Sequence, residues 1–373
     1  MKKIVAVNDK TQLAAFIDFP HDLYQGDPNY VPELFIAQRD LLTPGKHPFF
    51  EHSSLQCFLA YEGDKVVGRI AAIQNNNHNK IYEATEGHWG FFDCINDQEV
   101  ADLLFTAARE WLKARQLTSM MGPVNFSTNE VNALLIQGFD GPPVVQMPYN
   151  PPYYLQLIEN AGFSKKVDLR AYKFFAGDYN DRSMRLVAAL ESRLKRNKII
   201  IRKINMKDFK NEVTKVREVY NKAWDKNMGF VPTTDKEFEY LANDLKLIID
   251  PDFVYVAEQE GKLVAFSLAI PDINTALIKI KRGRLFPLGL LKLLWYKRKV
   301  KGLRIMALGV VDGYRKMGIE ACLYGSIIKA FQDKKFEYAE ASWMLDHNDL
   351  MNSAIEQIGG KLYRKYRLFE KSI

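Results

Sequence analysis

The stretch Leu303–Ala330 reads LRIMALGVVDGYRKMGIEACLYGSIIKA, and the fold of the chain turns on it. Its first part is an apolar run (Ile305, Met306, Leu308, Val310, Val311) that predicts a strand. A polar turn follows, Asp312-Gly313-Tyr314-Arg315-Lys316-Met317-Gly318, and beyond it Ile319, Cys322, Leu323, Ile327 and Ile328 recur at helical spacing. A glycine turn that opens a helix leaves backbone N–H groups unpaired at the helix's positive end, which suits an anion. With Arg315 and Lys316 in the turn, a phosphate-bearing ligand fits better than a lone carboxylate. The same residues would also make an ordinary strand-to-helix turn with surface cations.

At 373 residues the chain suits two domains. Its formal charge of +7 points to an anionic partner: nucleic acid, a membrane surface or a phosphate-bearing ligand. The apolar run at Ile4–Val7 is too short for a signal peptide and no segment is long enough to span a bilayer, so a cytoplasmic protein is expected. Cys57, Cys94 and Cys322 are far apart, lack metal-ligand spacing and lie in apolar runs, which predicts buried thiols and no metal.

Ile4–Val7 reads as a strand, followed by two helical patterns to Leu42. Phe58–Tyr61, the turn Glu62-Gly63-Asp64-Lys65 and Val66–Ile73 form a hairpin. The polar run Asn75–Asn79 reads as a loop. Trp89–Ile95 is a strand, Glu99–Arg115 an amphipathic helix, Met120–Val124 a strand, and Tyr153–Asn160 a helix closed by Gly162. The order then repeats at one offset. Phe58-Leu59-Ala60 precedes Tyr255-Val256-Ala257 by 197 positions, Ile158–Gly162 precedes Ile355–Gly359 likewise, and Ile4 and Val7 precede Ile201 and Ile204. The expected division is a first domain over 1–178, a basic connecting helix over 179–198, and a second domain over 199–373 with an insertion at 279–304.

Val310, Tyr314, Arg315, Gly318 and Ile319 match the acetyl-CoA-binding motif of the GNAT superfamily of N-acetyltransferases, and with the repeat the chain resembles a tandem GNAT protein. The stretches Met121–Glu130, Gly138–Pro143, Met147–Tyr154 and Ser342–Leu345 further resemble a bacterial family of double-GNAT proteins. The resemblance implies an α/β fold, each domain an α+β unit on a mixed sheet, and an acyl-CoA cofactor. It also implies main-chain contacts to that cofactor from Leu308 and Val310, a phosphate cradle of Arg315, Lys316, Met317, Gly318, Ile319, Glu320 and Ala321, and a further contact from Asn348. Asn348 would equally serve as a helix cap. Asp312 stands where the family often has proline, and Glu320 stands where it has glycine or alanine beside the pyrophosphate. The tyrosine that serves as general acid in the family is Ile355 here, and Ile158 in the first half. In the first half the corresponding turn, Asn96-Asp97-Gln98-Glu99, is acidic and would repel phosphate, so cofactor binding is assigned to the second.

The strand Leu303–Val311 offers no carboxylate, so the catalytic base is sought on the next, where Glu340 and Ser342 share a face by period two. In the first half Asn125, Ser127, Asn129 and Glu130 crowd polar groups into a loop at a strand's carboxyl end, either a substrate-binding loop or a turn that satisfies itself. The insertion KIKRGRLFPLGLLKLLWYKRKVKGLR (279–304) holds ten Lys or Arg and no acid around an apolar centre. Two fates are open to it: burial of its Leu face between the domains, the commoner one, or contact with an anionic membrane face or a lipid-like chain. The cations flank this centre and do not interleave with aromatics along a groove, which argues against nucleic acid. The expected function is transfer of an acyl group, acetyl by first choice, from acetyl-CoA or another acyl-CoA to a small-molecule or lipid-like amine. The alternative is a non-catalytic double-GNAT protein that holds an anionic lipid or nucleotide-like ligand at the membrane surface.

Overall fold

The computed structural model describes residues 1–177, 181–224 and 229–373, with side chains for all of these except 181–184. Two compact units emerge. Unit 1 comprises Met1–Leu169, Asn274–Arg298 and Arg364–Ile373; unit 2 comprises Arg170–Ile273 and Lys299–Tyr363. The boundary expected at 178/179 lies outside the described residues. Three segments are divided differently from the expectation: residues 170–177 fall in unit 2, whereas most of the insertion and the last ten residues of the chain fall in unit 1.

The first half runs β1 (Lys2–Ala6), α1 (Lys10–Leu23), α2 (Phe35–Leu41), β2 (Ser54–Glu62), β3 (Lys65–Gln74), α3 (Asn76–Tyr82), β4 (Glu86–Cys94), α4 (Gln98–Lys113), β5 (Ser119–Gly122), β6 (Leu134–Gln137), α5 (Tyr154–Asn160) and β7 (Ser164–Phe175). After α6 (Asp181–Arg196), the connecting helix, the second half runs β8 (Ile199–Lys203), α7 (Phe209–Trp224), α8 (Asp235–Lys246), β9 (Val254–Gln259), β10 (Lys262–Pro271), α9 (Asn274–Leu277), α10 (Gly289–Lys297), β11 (Gly302–Val310), α11 (Ile319–Asp333), β12 (Tyr338–Leu345), α12 (Asp349–Gln357) and β13 (Lys361–Ser372). The offset of 197 positions survives in the structure: β3 and β10 start that far apart, and so do β7 and β13. Those last strands were not foreseen. Nor was α3, where Asn75 accepts from His78 N and so starts a helix in the polar run read as a loop.

In unit 1 the strand order is β1-β2-β3-β4-β5-β13, antiparallel except for β4 beside β5. In unit 2, which holds residues 170–175 of β7, it is β7-β12-β11-β10-β9-β8, with β11 and β12 parallel. Each half thus sends its last strand to the other half's sheet. The β9–β10 hairpin turns on Glu260 and Gly261, both at positive φ, the backbone that tight hairpins require.

Each sheet is covered on both faces. In unit 1, α4 lays Val100, Leu104, Phe105 and Leu112 on a core around Trp89, whose ring meets Phe105 edge-on at 5.1 Å. The opposite face packs Phe16, Phe49, Phe91 and Phe126, with Phe49 and Phe126 stacked at 4.5 Å. In unit 2, α11 contributes Ile319, Leu323 and Ile327 to one face and α7 contributes Val219 to the other. Each such burial is worth roughly 1.5–3 kcal/mol. The three cysteines are buried and unpaired, and burial pushes the Cys57 thiol up to about 12.

Candidate functional site

In unit 2 the parallel ladder between β11 and β12 covers only Gly302↔Tyr338 to Ile305↔Ala341, although β11 continues to Val310 and β12 to Leu345. Past Ile305, β11 keeps its antiparallel partner β10, with a bulge between Leu268 and Ala269, but it has left β12. The main chain of Met306–Val310, including Leu308 and Val310, is therefore paired along one edge, and a gap opens along the other. Two buried polar atoms near it lack a hydrogen-bond partner among the described residues: Ser267 Oγ, on β10 opposite Leu308, and Trp343 Nε1 on β12 beyond the ladder.

β11 ends in the turn that leads to α11. Gly313, Lys316 and Gly318 all have positive φ, and Gly318 is the N-cap residue, with no side chain to cap the helix. The first N–H groups of α11, those of Ile319, Glu320 and Ala321, thus point out of the helix without a side-chain acceptor at the cap. Lys316 is exposed. Arg315, exposed as well, donates to the carbonyls of Val310 (3.3 Å) and Ala223 (3.0 Å) and pairs with Asp312 (3.2 Å). Its part is to hold the turn. Met317 packs against the core of unit 2. Gly318 also has a packing role, because a Cβ there would come within 2.8 Å of Leu190 of α6, which crosses α11 again where Gly325 meets Val187.

Glu340 and Ser342 do share a face, and the structure joins them: Ser342 Oγ donates to Glu340 Oε1 at 2.8 Å. Glu340 is fully buried, and Ser342 is the first β12 residue beyond the ladder. Across the ladder from Glu340 lies Arg304, whose guanidinium stands 5.2 Å from the Trp343 ring. On the same strand Tyr338 donates to Asp272 at 2.5 Å, and burial together with that carboxylate holds its phenol well above the usual range.

The equivalent place in unit 1 is built differently. There the ladder between β4 and β5 ends at His88↔Met121, and the chain fills the space beyond. Val124 N donates to Trp89 O at 2.8 Å, and Phe91 N donates to Asn125 Oδ1 at 2.9 Å. Gly90 has no side chain because the Val124 carbonyl passes within 2.2 Å of where its Cβ would be. α4 is capped by the carboxylate of Asp97, which accepts from Val100 N and pairs with Lys2. Of the residues expected to receive substrate, Asn125 is thus a plug for β4. Ser127 donates to Glu130 at 2.5 Å, and Asn129 N donates to Ser127 Oγ. Ser127 N also donates to the Glu130 carboxylate, bonds of the kind a self-satisfying turn makes.

No family model matches the chain. Protein YghO of Escherichia coli is 37% identical over 98% of this chain and 94% of its own length. A bacterial ceramide synthase of Caulobacter vibrioides is 36% identical over 99% of this chain and 97% of its own. The chain belongs to their family. Its fold is that of tandem GNAT proteins. A tandem GNAT protein from the clavulanic acid biosynthesis pathway superposes with a TM-score of 0.57 over 100% of this chain and 98% of its own, at 9% identity. A GCN5-related N-acetyltransferase from Sphaerobacter thermophilus does so with 0.54 over 99% and 95%, at 11% identity.

Further residues of this family member fix the end of β12 and the start of α12. Asn348 caps α12 through its Oδ1, which accepts from Met351 N, as the cap reading expects. Behind it Asn352 bonds the carbonyls of Leu345 and Asp346, and Arg170 pairs with Asp346 at 2.6 Å, fixing the end of β12. Tyr363 and Tyr366, the tyrosines nearest Ile355, lie on β13, Tyr366 fully buried in unit 1. In unit 1 Glu86 meets His78 (3.1 Å), His88 (3.5 Å) and Lys166 (2.8 Å). Burial alone would raise the Glu86 carboxyl, but those three hydrogen bonds more than offset it. The Lys166 ammonium supplies the charge that a metal would bring, and the cluster reads as an internal ion-pair network.

Proposed function

We propose that this protein is an acyl-CoA-dependent N-acyltransferase whose cofactor is held by unit 2 and whose acceptor is a lipid-like amine. The observation that carries this is the conjunction of the opened β11 edge with the uncapped start of α11. A ligand with a peptide-like arm and a diphosphate would find strand-type hydrogen bonds at Met306–Val310 and the uncapped N–H groups of 319–321 with Lys316 beside them. The orphaned Ser267 hydroxyl and Trp343 indole fit the same occupant. The relative that is a ceramide synthase supports an acceptor of long-chain amino-alcohol type, since a ceramide is the N-acyl form of such an amine.

Bound acyl-CoA would supply the thioester. The acceptor nitrogen attacks its carbonyl carbon, the C–N bond forms, the C–S bond breaks and the thiolate leaves with a proton. The chain's part is to receive the amine proton and return it to the departing thiolate, and Ser342 stands at the gap with Glu340 behind it as that relay. Burial of Glu340 keeps that carboxylate out of bulk water, and the Arg304 register position places a cation on its strand neighbour.

The test is titration calorimetry with acetyl-CoA and long-chain acyl-CoAs. Binding is expected, and Lys316→Glu should weaken it by roughly ten-fold through charge reversal near the phosphates, with an unchanged melting temperature. Absence of binding at millimolar ligand would overturn the function, and an unaltered affinity in the variant would overturn the cradle. A second reading, binding without turnover, is favoured by the buried Ile355 and Ile158 at the position of the acid in both halves. Amide formation with a panel of long-chain amines separates the two.

A further inference from the structure

The insertion is clamped at its base and exposed at its tip. Arg282 pairs with Asp22 of α1 at 2.5 Å, and Arg284 pairs with Asp18 at 2.7 Å while stacking 3.4 Å over the Phe35 ring. Gly283 is pressed so closely on the backbone of residue 33 that a Cβ would sit 1.8 Å from the Glu33 carbonyl. Two of the ten cations are thus spent inside unit 1, and a third, Arg304, is buried in β11. The apolar part lies outside this clamp. Phe286 is 77% exposed, Leu288 61%, Leu291 64%, Leu294 53% and Trp295 61%. α10 buries none of its residues, the reverse of the burial expected for its Leu face. Leu290 with Leu294, and Leu291 with Trp295, are pairs at i and i+4, so they form one continuous greasy surface. Exposed Lys281, Lys292 and Arg298 flank or interrupt it along the chain and form its rim of charge, with no acid between 279 and 304.

We infer that this face of unit 1 docks on an anionic phospholipid bilayer, with the apolar tip in the headgroup–acyl boundary and the rim against lipid phosphates. Charge complementarity selects that occupant: a purely apolar protein partner would leave the cations of the rim unmatched, whereas an anionic leaflet meets them all. α10 has nine residues, too few to cross a bilayer, and no described helix is long and apolar enough to do so, so the mode is interfacial. The clamp matters because a tip fixed on α1 is already shaped for insertion and loses little freedom on docking. The inference stands apart from acyl transfer, since it rests on surface residues of unit 1 alone.

Full-length protein is sedimented with vesicles of phosphatidylcholine alone and of phosphatidylcholine with an equal part of phosphatidylglycerol, at low and high salt. Binding is expected to the anionic vesicles at low salt, weaker at high salt. Leu291→Ser with Leu294→Ser should reduce the partition coefficient by more than roughly ten-fold, since two buried leucines are lost. Lys292→Glu with Arg298→Glu should reduce it as well, by at least roughly five-fold per charge. Exposed side chains carry little of the fold, so thermal melts of both variants should match the parent. If one variant fails to fold, the other decides. No sedimentation at low salt, equal binding by the variants, or a dimer in light scattering that the leucine variant abolishes while vesicles are ignored would each overturn the proposal.

Discussion

The two halves place the same strand-turn-helix in each unit and finish it in opposite ways. In unit 1 the space beyond the β4–β5 ladder is filled by Val124 and Asn125, and the next helix is capped by Asp97. In unit 2 the ladder stops at Ile305↔Ala341, and the next helix starts at a glycine with no capping side chain. A fold can therefore keep its topology while a few backbone-satisfying residues decide whether a ligand has anything to bind. Where the chain meets its own N–H and C=O groups, as at Phe91 and Val100, there is no work left for a cofactor.

That contrast can be broken at several points. The largest effect is expected at Glu340: Glu340→Gln keeps the bond from Ser342 but removes the base, and turnover should fall by roughly 10²–10⁴-fold with acyl-CoA affinity unchanged. A kcat equal to the parent's would show that the proton goes elsewhere. Next is the plug. Gly90→Ala would force a Cβ onto the Val124 carbonyl and should cost about 3 kcal/mol, read as a lower denaturation midpoint. By position in the two nine-residue strands the corresponding residue of β11 is Met306, and Met306→Ala should cost less, since that edge has no plug to displace.

The smallest effect concerns the caps. Asp97→Ala should destabilise by about 1 kcal/mol at neutral pH. The hydrogen bond from Lys2 holds the Asp97 carboxyl below the carboxylate range. A depressed folded pKa contributes stability above the unfolded value, near 3.9, and that contribution is lost as pH falls through the folded value. The difference between parent and variant should therefore shrink on acidification below about pH 4. A difference that grew there would reverse the assignment.

Much of this architecture was readable in order along the chain. Hydrophobic periodicity announced the strands and the long helices, because a half-buried face needs the same spacing wherever it sits. The common offset announced the repeat. The turn before Gly318 announced an uncapped helix, and period two put Glu340 beside Ser342. The polar loop at Asn125–Glu130 was less legible, since a substrate loop and a self-bonded turn draw on the same residue types. Arg315 was no more legible, for a related reason. A cation in a turn can face an anion or its own carbonyls, and only the approach of Ala223 from α7 decides for the carbonyls.

What the sequence determined alone was local: element types, their doubled order, the acidic cap of α4 and the bare one of α11. Tertiary structure decided where the last strands go, because β7 and β13 carry no mark of which sheet will pair them. It decided that Gly90 is covered by a neighbouring carbonyl while β11 keeps a free edge. It also decided that the insertion joins unit 1 and holds its leucines outward, because Asp18 and Asp22, more than 250 residues earlier in the chain, capture the arginines at its base. Pairing between distant residues depends on the path of the whole backbone, and no local pattern encodes that path.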